Sequence, residues 1–300
     1  MVRFLLIVVA AFMVALPAPE QVHGSQVKAI ASGGSHACVL TEAGGVTCWG
    51  FGGFGQLGDG HLQNRPAPVD VVGMEADVVA LASGQYHTCE VTDTGGARCW
   101  GSNIFGQLGT TDVLCYYPDG SSIACSVEPL DVPGLEEGVA AISPGNFHTC
   151  VLTEEGGVKC WGDNSVGQLG DGTSTSRVEP ADVLGLASGV MAVEAGFDHT
   201  CAITVLGAVK CWGDNVVAEL GAESTETCTS VFGDAHACST TPLDVETLDG
   251  GITALSALGS FTCALTETGG VTCWGNNAHG QLGDGTFANI RRTPFGRVRG

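Results

Sequence analysis

Fourteen cysteines fall into seven consecutive couples, and the partners of every couple stand ten residues apart: Cys38 and Cys48, Cys89 and Cys99, Cys115 and Cys125, Cys150 and Cys160, Cys201 and Cys211, Cys228 and Cys238, Cys263 and Cys273. So many cysteines ordinarily leave their pairing open, because the number of connectivities is enormous. One spacing repeated seven times singles out local pairing within each couple. Five couples lie in copies of a single segment: HACVLTEAGGVTCWG from His36, HTCEVTDTGGARCWG from His87, HTCVLTEEGGVKCWG from His148, HTCAITVLGAVKCWG from His199 and FTCALTETGGVTCWG from Phe261. Their first cysteines are 51, 61, 51 and 62 residues apart, so the chain is an array of units and not one irregular fold.

Within a unit the pattern is that of a β-hairpin. In HTCVLT, alternation puts His148, Cys150 and Leu152 on one strand face and Thr149, Val151 and Thr153 on the other. A turn at residues 154–157 follows, and the returning VKCWG brings Cys160 opposite Cys150. Directly opposed strand residues have Cα atoms roughly 4.5 to 5.5 Å apart, which a disulfide tolerates. An apolar segment such as Val78 to Leu81 precedes the hairpin, and a Pro-x-Asp-Val motif follows it at Pro68, Pro129, Pro180 and Pro242. From the Val of that motif to the next first cysteine the count is always 18, whereas from the second cysteine to the Pro it is 20, 30, 20 and 31. All length variation therefore sits in one connection per unit. Four short strands and a recurrent Trp-Gly are the pattern of a propeller blade. The expected fold is all-β, a β-propeller of four-stranded blades over 25–287, with repeats near 27–77, 78–138, 139–189, 190–251 and 252–287. A parallel β-helix is the rival, but its rungs are usually shorter and lack such hairpins.

The two ends differ from the array. Arg3 followed by the apolar run Phe4 to Leu16 and a stretch of small residues to Gly24 reads as a signal peptide over 1–24, its apolar core too short to span a bilayer. That predicts a secreted, periplasmic or envelope protein, a setting in which disulfides persist; no later segment has the length of a membrane helix. At the other end, residues 288–300 read as a degenerate basic tail in which Pro294-Phe295-Gly296-Arg297 replaces Pro-x-Asp-Val. Two explanations stay open, an array cut short or a short capping tail. The net charge of −21 and the wide spacing of the basic residues before the tail exclude a phosphate-binding surface, so nucleic acid is not an expected partner.

The run H-x-C-x-x-T-x-x-G-G-V-x-C-W-G-x-N-x-x-G-Q-L-G, seen at His148, Gly157, Trp161, Gly162, Asn164, Gly167, Gln168, Leu169 and Gly170, resembles the repeat of the regulator of chromosome condensation family. The resemblance extends from residue 28 to about 287 and implies a propeller; family members resemble seven-bladed rings, against the five copies here. It is known in intracellular exchange factors for a small GTPase and in secreted bacterial binding proteins, and the paired cysteines make this chain similar to a cysteine-rich, secreted bacterial variant. Repeat 1 lacks the Asn, repeat 4 has Glu219 in place of Gln, and repeat 5 has Phe261 and Leu258 where the others have His and Gly.

The recurrent His (36, 87, 148, 199) invites a metal reading through His-x-Cys. Export and repetition favour a structural role instead, with disulfides at the cysteines, and neither a metal nor a cofactor is expected. The recurrent Trp are core residues first, and the Asp-Gly pairs are turn formers. More informative are two insertions, CYYPDGSSIAC from Cys115 and CTSVFGDAHAC from Cys228, which fall in the same connection of repeats 2 and 4 and so emerge from one propeller face. Each is closed by its own couple, which makes Tyr116, Tyr117, Phe232 and His236 candidate binding residues. No paired carboxylates or nucleophile with base stand out, so no catalytic residue is assigned. The expected function is an exported, non-enzymatic protein-binding scaffold with another protein as its partner. Nucleotide exchange on a small GTPase, and a propeller enzyme or lectin acting on glycans, are the alternatives.

Overall fold

The computed structural model describes residues 26–74, 76–231, 233–245, 248, 251–289 and 296–297. The expected signal peptide, over 1–24, lies outside them. Every described element is a strand, and the strands form five antiparallel sheets arranged in a ring, a five-bladed β-propeller. Blade 1 is β1 (Val27–Ser32), β2 (His36–Thr41), β3 (Val46–Gly50) and β4 (Arg65–Asp70). Blade 2 is β5 (Val78–Ser83), β6 (His87–Thr92), β7 (Ala97–Ser102), β8 (Leu114–Tyr116) and β9 (Ser122–Asp131). Blade 3 is β10 (Val139–Pro144), β11 (His148–Thr153), β12 (Val158–Gly162) and β13 (Arg177–Asp182). Blade 4 is β14 (Val190–Ala195), β15 (His199–Thr204), β16 (Val209–Asp214), β17 (Glu226–Thr229) and β18 (Ala235–Asp244). Blade 5 is β19 (Ile252–Leu258), β20 (Phe261–Thr266), β21 (Val271–Gly275) and β22 (Gly296–Arg297). In β22, within the stretch expected as a basic tail, Arg297 pairs with Thr272 at the place where Asp70 pairs with Thr47.

The central hairpin of each blade closes as the residue pattern requires. Cys150 faces Cys160, and the five hairpin couples have Cα atoms 4.1 Å apart. The Thr that ends each second strand caps the turn: Thr153 Oγ1 accepts from the Gly157 N–H, as Thr92 does from Gly96. Trp-Gly is obligatory because Gly162 has φ +104°, and a Cβ there would stand 2.4 Å from the Phe147 carbonyl oxygen.

Blades pack through one repeated polar zipper over apolar cores. His36, His87, His148 and His199 each meet, through Nε2, the Thr hydroxyl of the following blade at 2.8 to 2.9 Å: Thr88, Thr149, Thr200 and Thr262. Thr88 donates onward to the Gln56 carbonyl, and Trp100 Nε1 donates to that same oxygen at 3.0 Å. Thr149 with Trp161 on Gln107, and Thr200 with Trp212 on Gln168, repeat the arrangement. Because the hydroxyl proton is committed to the carbonyl, the hydroxyl accepts from His, which places the imidazole proton on Nε2. Around the zipper lie four apolar clusters, each built from two neighbouring blades; one joins Leu108, Val132 and Leu135 to Val139, Ile142 and Trp161.

The seam between blade 5 and blade 1 is built differently. Ala37 stands where the others have the zipper Thr, Phe261 where they have His, and Trp49 is only half-buried. Ile30 is 65% exposed where Ile142 is 7%, and Leu265 is 41% exposed where Ile203 is fully buried. Among the described residues, backbone hydrogen bonds tie the inner ends of successive blades, such as Gln85 N–H to the Gly145 carbonyl and Phe197 N–H to that of Gly259, but none ties blade 5 to blade 1.

Candidate protein-interaction face

The chain direction sorts the connections onto two faces. Hairpin turns such as residues 154–157 lie at one end of every blade, while the links between first and second strands and between third and fourth strands lie at the other. Both insertions occupy the second kind of link, so they rise from this loop face. In each, the long strand β9 or β18 extends beyond the blade and pairs with an extra outer strand, β8 or β17. Cys115–Cys125 and Cys228–Cys238 stand at disulfide distance, with Cα atoms 5.5 and 5.8 Å apart.

The candidate binding residues have different situations on that face. Tyr116 is 69% exposed. Tyr117 is half-buried and acts as a strut, its hydroxyl donating to the Gly53 carbonyl of blade 1 at 2.8 Å. His236 lies with Nδ1 3.3 Å from Asp214 Oδ1. Phe232 falls outside the described residues.

The loop face also carries a feature that reading the repeats one at a time misses. Five half-buried rings run from blade 1 to blade 3: Phe51 meets Phe54 edge-on at 5.7 Å, Phe54 meets Tyr86 at 5.3 Å, Tyr86 stacks on Phe147 at 5.5 Å, and Phe147 meets Phe105 at 4.9 Å. All five sit in the loops at the face, close to glycines that recur from repeat to repeat and outside its strands. Aromatic pairs in these geometries favour one another beyond the area they bury, so the ridge is preordered. The signal was present in the sequence: Tyr86 and Phe147 each immediately precede the repeated His, and Phe54 and Phe105 each precede Gly-Gln.

Over blades 3 and 4 the ridge gives way to carboxylates. Asp163 is buried, and its Oδ2 accepts from Gln168 Nε2 at 2.9 Å. In blade 4 the same two positions are Asp214 and Glu219, so two carboxyl groups replace a carboxylate and an amide. Burial, reinforced by Asp214, pushes the Glu219 carboxyl up to about 8. Asp198 is pushed up to about 6, first by burial and then by Asp163 and Asp214. The zipper imidazoles move the other way, to about 3 for His87 and His148 and about 4 for His36 and His199, chiefly because burial disfavours their charged form. These four rings are therefore neutral packing elements at ordinary pH. On the ring axis, the inner strands of all five blades line a cavity of about 390 Å³ that includes Glu194.

Fold and face together define a repeat-built β-propeller of the protein-interaction kind. A family profile described as the regulator of chromosome condensation (RCC1) repeat matches residues 27–56, 78–107, 139–168, 192–217 and 252–281, and a second profile of the same description matches 43–91 and 155–203. The chain belongs to the RCC1 repeat family. It is 32% identical over 273 residues to the mitochondrial RCC1 domain-containing protein RUG3 of Arabidopsis thaliana, covering 89% of this chain and 58% of the relative. Over 270 residues it is 32% identical to the human E3 ubiquitin-protein ligase HERC2, covering 89% of this chain but 5% of the ligase. Among solved structures, yeast RCC1 (Prp20) bound to Kap60 superposes with a TM-score of 0.77 at 21% identity, over 92% of this chain and 62% of that one. Human WBSCR16 gives 0.76 at 21% identity, over 96% and 70%. At such identity these two establish the fold.

Proposed function

We propose that this chain is an exported, non-enzymatic scaffold that binds another protein on its loop face. The observation that carries the reading is the aromatic ridge, Phe51, Phe54, Tyr86, Phe105 and Phe147, half-buried on loops where blade 4 has Asp198, Asp214 and Val217 and blade 5 has Ser260, Asn276 and His279. Rigid aromatic groups at a partly open surface are the anchors on which protein interfaces concentrate their binding energy. Yeast RCC1 of the same fold was solved bound to Kap60, and a structure of Prp20p was described with its binding to Gsp1p and histones, which supports a protein partner here. Seven cysteine couples at disulfide distance support an oxidising compartment. The buried imidazoles and Asp163 are occupied structurally, the former in the zipper and the latter by Gln168, which supports a role other than catalysis.

The test is capture from culture medium or envelope extract by the oxidised protein and by a Tyr86→Ala, Phe105→Ala, Phe147→Ala triple variant. At least a tenfold drop in the recovered partner is expected. Equal recovery by a triple variant that keeps its near-ultraviolet circular dichroism would contradict the reading.

A further inference from the structure

We infer that the insertion of blade 2 takes up an extended, cationic peptide segment as an added β-strand along β8; this rests on the reading of the chain as a protein-interaction scaffold and specifies one mode of contact. Within blade 2 the strand order ends β7-β9-β8, so β8 is a sheet margin whose inner edge is bonded to β9 and whose outer edge has no neighbouring strand among the described residues. Such an edge presents unpaired N–H and C=O groups, and proteins usually blunt it with lysine or proline. Strand β8 reads Leu-Cys-Tyr and has neither. Leu114 and Tyr116 are 53% and 69% exposed, while Cys115 between them is buried against Cys125, which pins the strand in its extended form.

A trough of about 530 Å³ is walled on one side by residues 113–118, on the other by residues 60–63 of blade 1, and floored by residues 125–127. Six consecutive residues in extended form reach roughly 20 Å, so a short peptide added at the free edge spans the three residues of β8 with its ends to spare. Strand addition of this kind draws affinity from main-chain hydrogen bonds and selectivity from the pockets that receive alternate side chains.

Charge selects the class of peptide. Asp112 precedes the wall and Asp119 follows it, so a carboxylate stands at each end, while Glu128 follows the floor, with Oε1 3.8 Å from where a Gly60 Cβ would stand. Among the described residues none of the three is in an ion pair; Asp119 Oδ1 accepts from the Ser121 N–H and hydroxyl and Asp112 Oδ2 from the Thr111 hydroxyl, which leaves their charge unneutralised. A segment with apolar residues in its middle and Lys or Arg at both ends complements the trough. The corresponding strand of blade 4 is not equipped in this way: β17 reads Glu-Thr-Cys-Thr, with threonines where β8 has Leu114 and Tyr116 on either side of its cysteine.

The test uses the oxidised full chain and a fluorescein-labelled peptide KRTVTVTRK, followed by anisotropy. Two analogues carry backbone N-methyl groups on one or the other set of alternate residues, and a third has Glu in place of every Lys and Arg. Strand addition predicts that one N-methylated set weakens binding at least tenfold while the other binds nearly as the parent does. The Glu peptide and an Asp112→Asn, Asp119→Asn, Glu128→Gln variant should each weaken it at least tenfold. No binding of the parent, equal binding of both N-methylated sets, or equal binding of the Glu peptide would overturn the assignment. Failure here with ridge-dependent partner capture intact sinks strand addition alone, whereas peptide binding together with equal partner recovery by the ridge variant leaves strand addition standing and sinks the ridge as the binding anchor.

Discussion

At the scale of single residues, the zipper explains the composition of the repeat. The His ring lies on a glycine, since a Cβ on Gly145 would stand 2.4 Å from His148 Cε1, and its Nε2–H donates to a Thr hydroxyl on the next blade. Where repeat 5 replaces that His by Phe261, the glycine is also released and becomes Leu258. Thr149→Val strands the His87 donor and removes one donor from the Gln107 carbonyl, and the expected loss is about 1 to 3 kcal/mol in denaturant unfolding. Ala37→Thr, at the matching place in blade 1, should change stability by less than about 0.5 kcal/mol. The titrations have opposite signs. Glu219, Asp198 and Glu194 are raised, Glu194 to about 7 by burial, so the stability they contribute is present at low pH and is lost as pH rises toward 8. The four His are lowered, so their contribution is present above about 6.5 and is lost as pH falls toward 3 to 4. Glu90, also raised to about 7 by burial, adds to the alkaline loss, and thermal melts should peak at about pH 6, between the two ranges. Glu219→Gln, which restores the amide of the other blades beside Asp214, should raise the melting temperature at pH 8 and flatten the alkaline limb. An unchanged limb would remove Glu219 as its cause.

Among the elements, the hairpins were the most legible, because two cysteines equidistant from a Gly-rich turn can only face one another across it. The outer strand was legible through Pro-x-Asp-Val, and proline fits there because the stretch that carries it has no strand paired on its outer side among the described residues, even in blades 2 and 4 where β8 and β17 pair with the other end of that strand. Less legible was β22, where a two-residue strand carries Gly296 and Arg297 in place of that motif and only the register reveals the match. The aromatic ridge could not be assembled from sequence, since Tyr86 and Phe147 belong to different repeats and meet only because blades stack around an axis. The insertions were recognised as loops, but the edge strand within each and the trough beside β8 depend on how far β9 runs past its blade. Blade position also decides the cost of equivalent substitutions. Ile203→Ala, in a fully buried interblade core, should cost about 2 to 5 kcal/mol. Leu265→Ala, at the same place in blade 5 but 41% exposed, should cost much less, and parallel urea titrations compare the two directly.

For the whole molecule, the blades form a scaffold whose two faces differ in chemistry. The hairpin-turn face repeats the same short Gly-containing turn in all five blades, while the loop face gathers the residues in which the blades differ: the rings of blades 1 to 3, the carboxyl groups of blades 3 and 4, and the two insertions. A net charge of −21 makes any partner met there preferentially cationic, and its association should slow as salt is raised. The loop face as the binding surface is the central claim, and site-specific photo-crosslinking tests it most directly. Benzoylphenylalanine placed at Phe105 on the ridge, and separately at Glu155 in a turn on the opposite face, is irradiated in the presence of the captured partner. An adduct from position 105 and none from position 155 is the predicted result; an adduct from 155 alone, or equal yields from both, would contradict it.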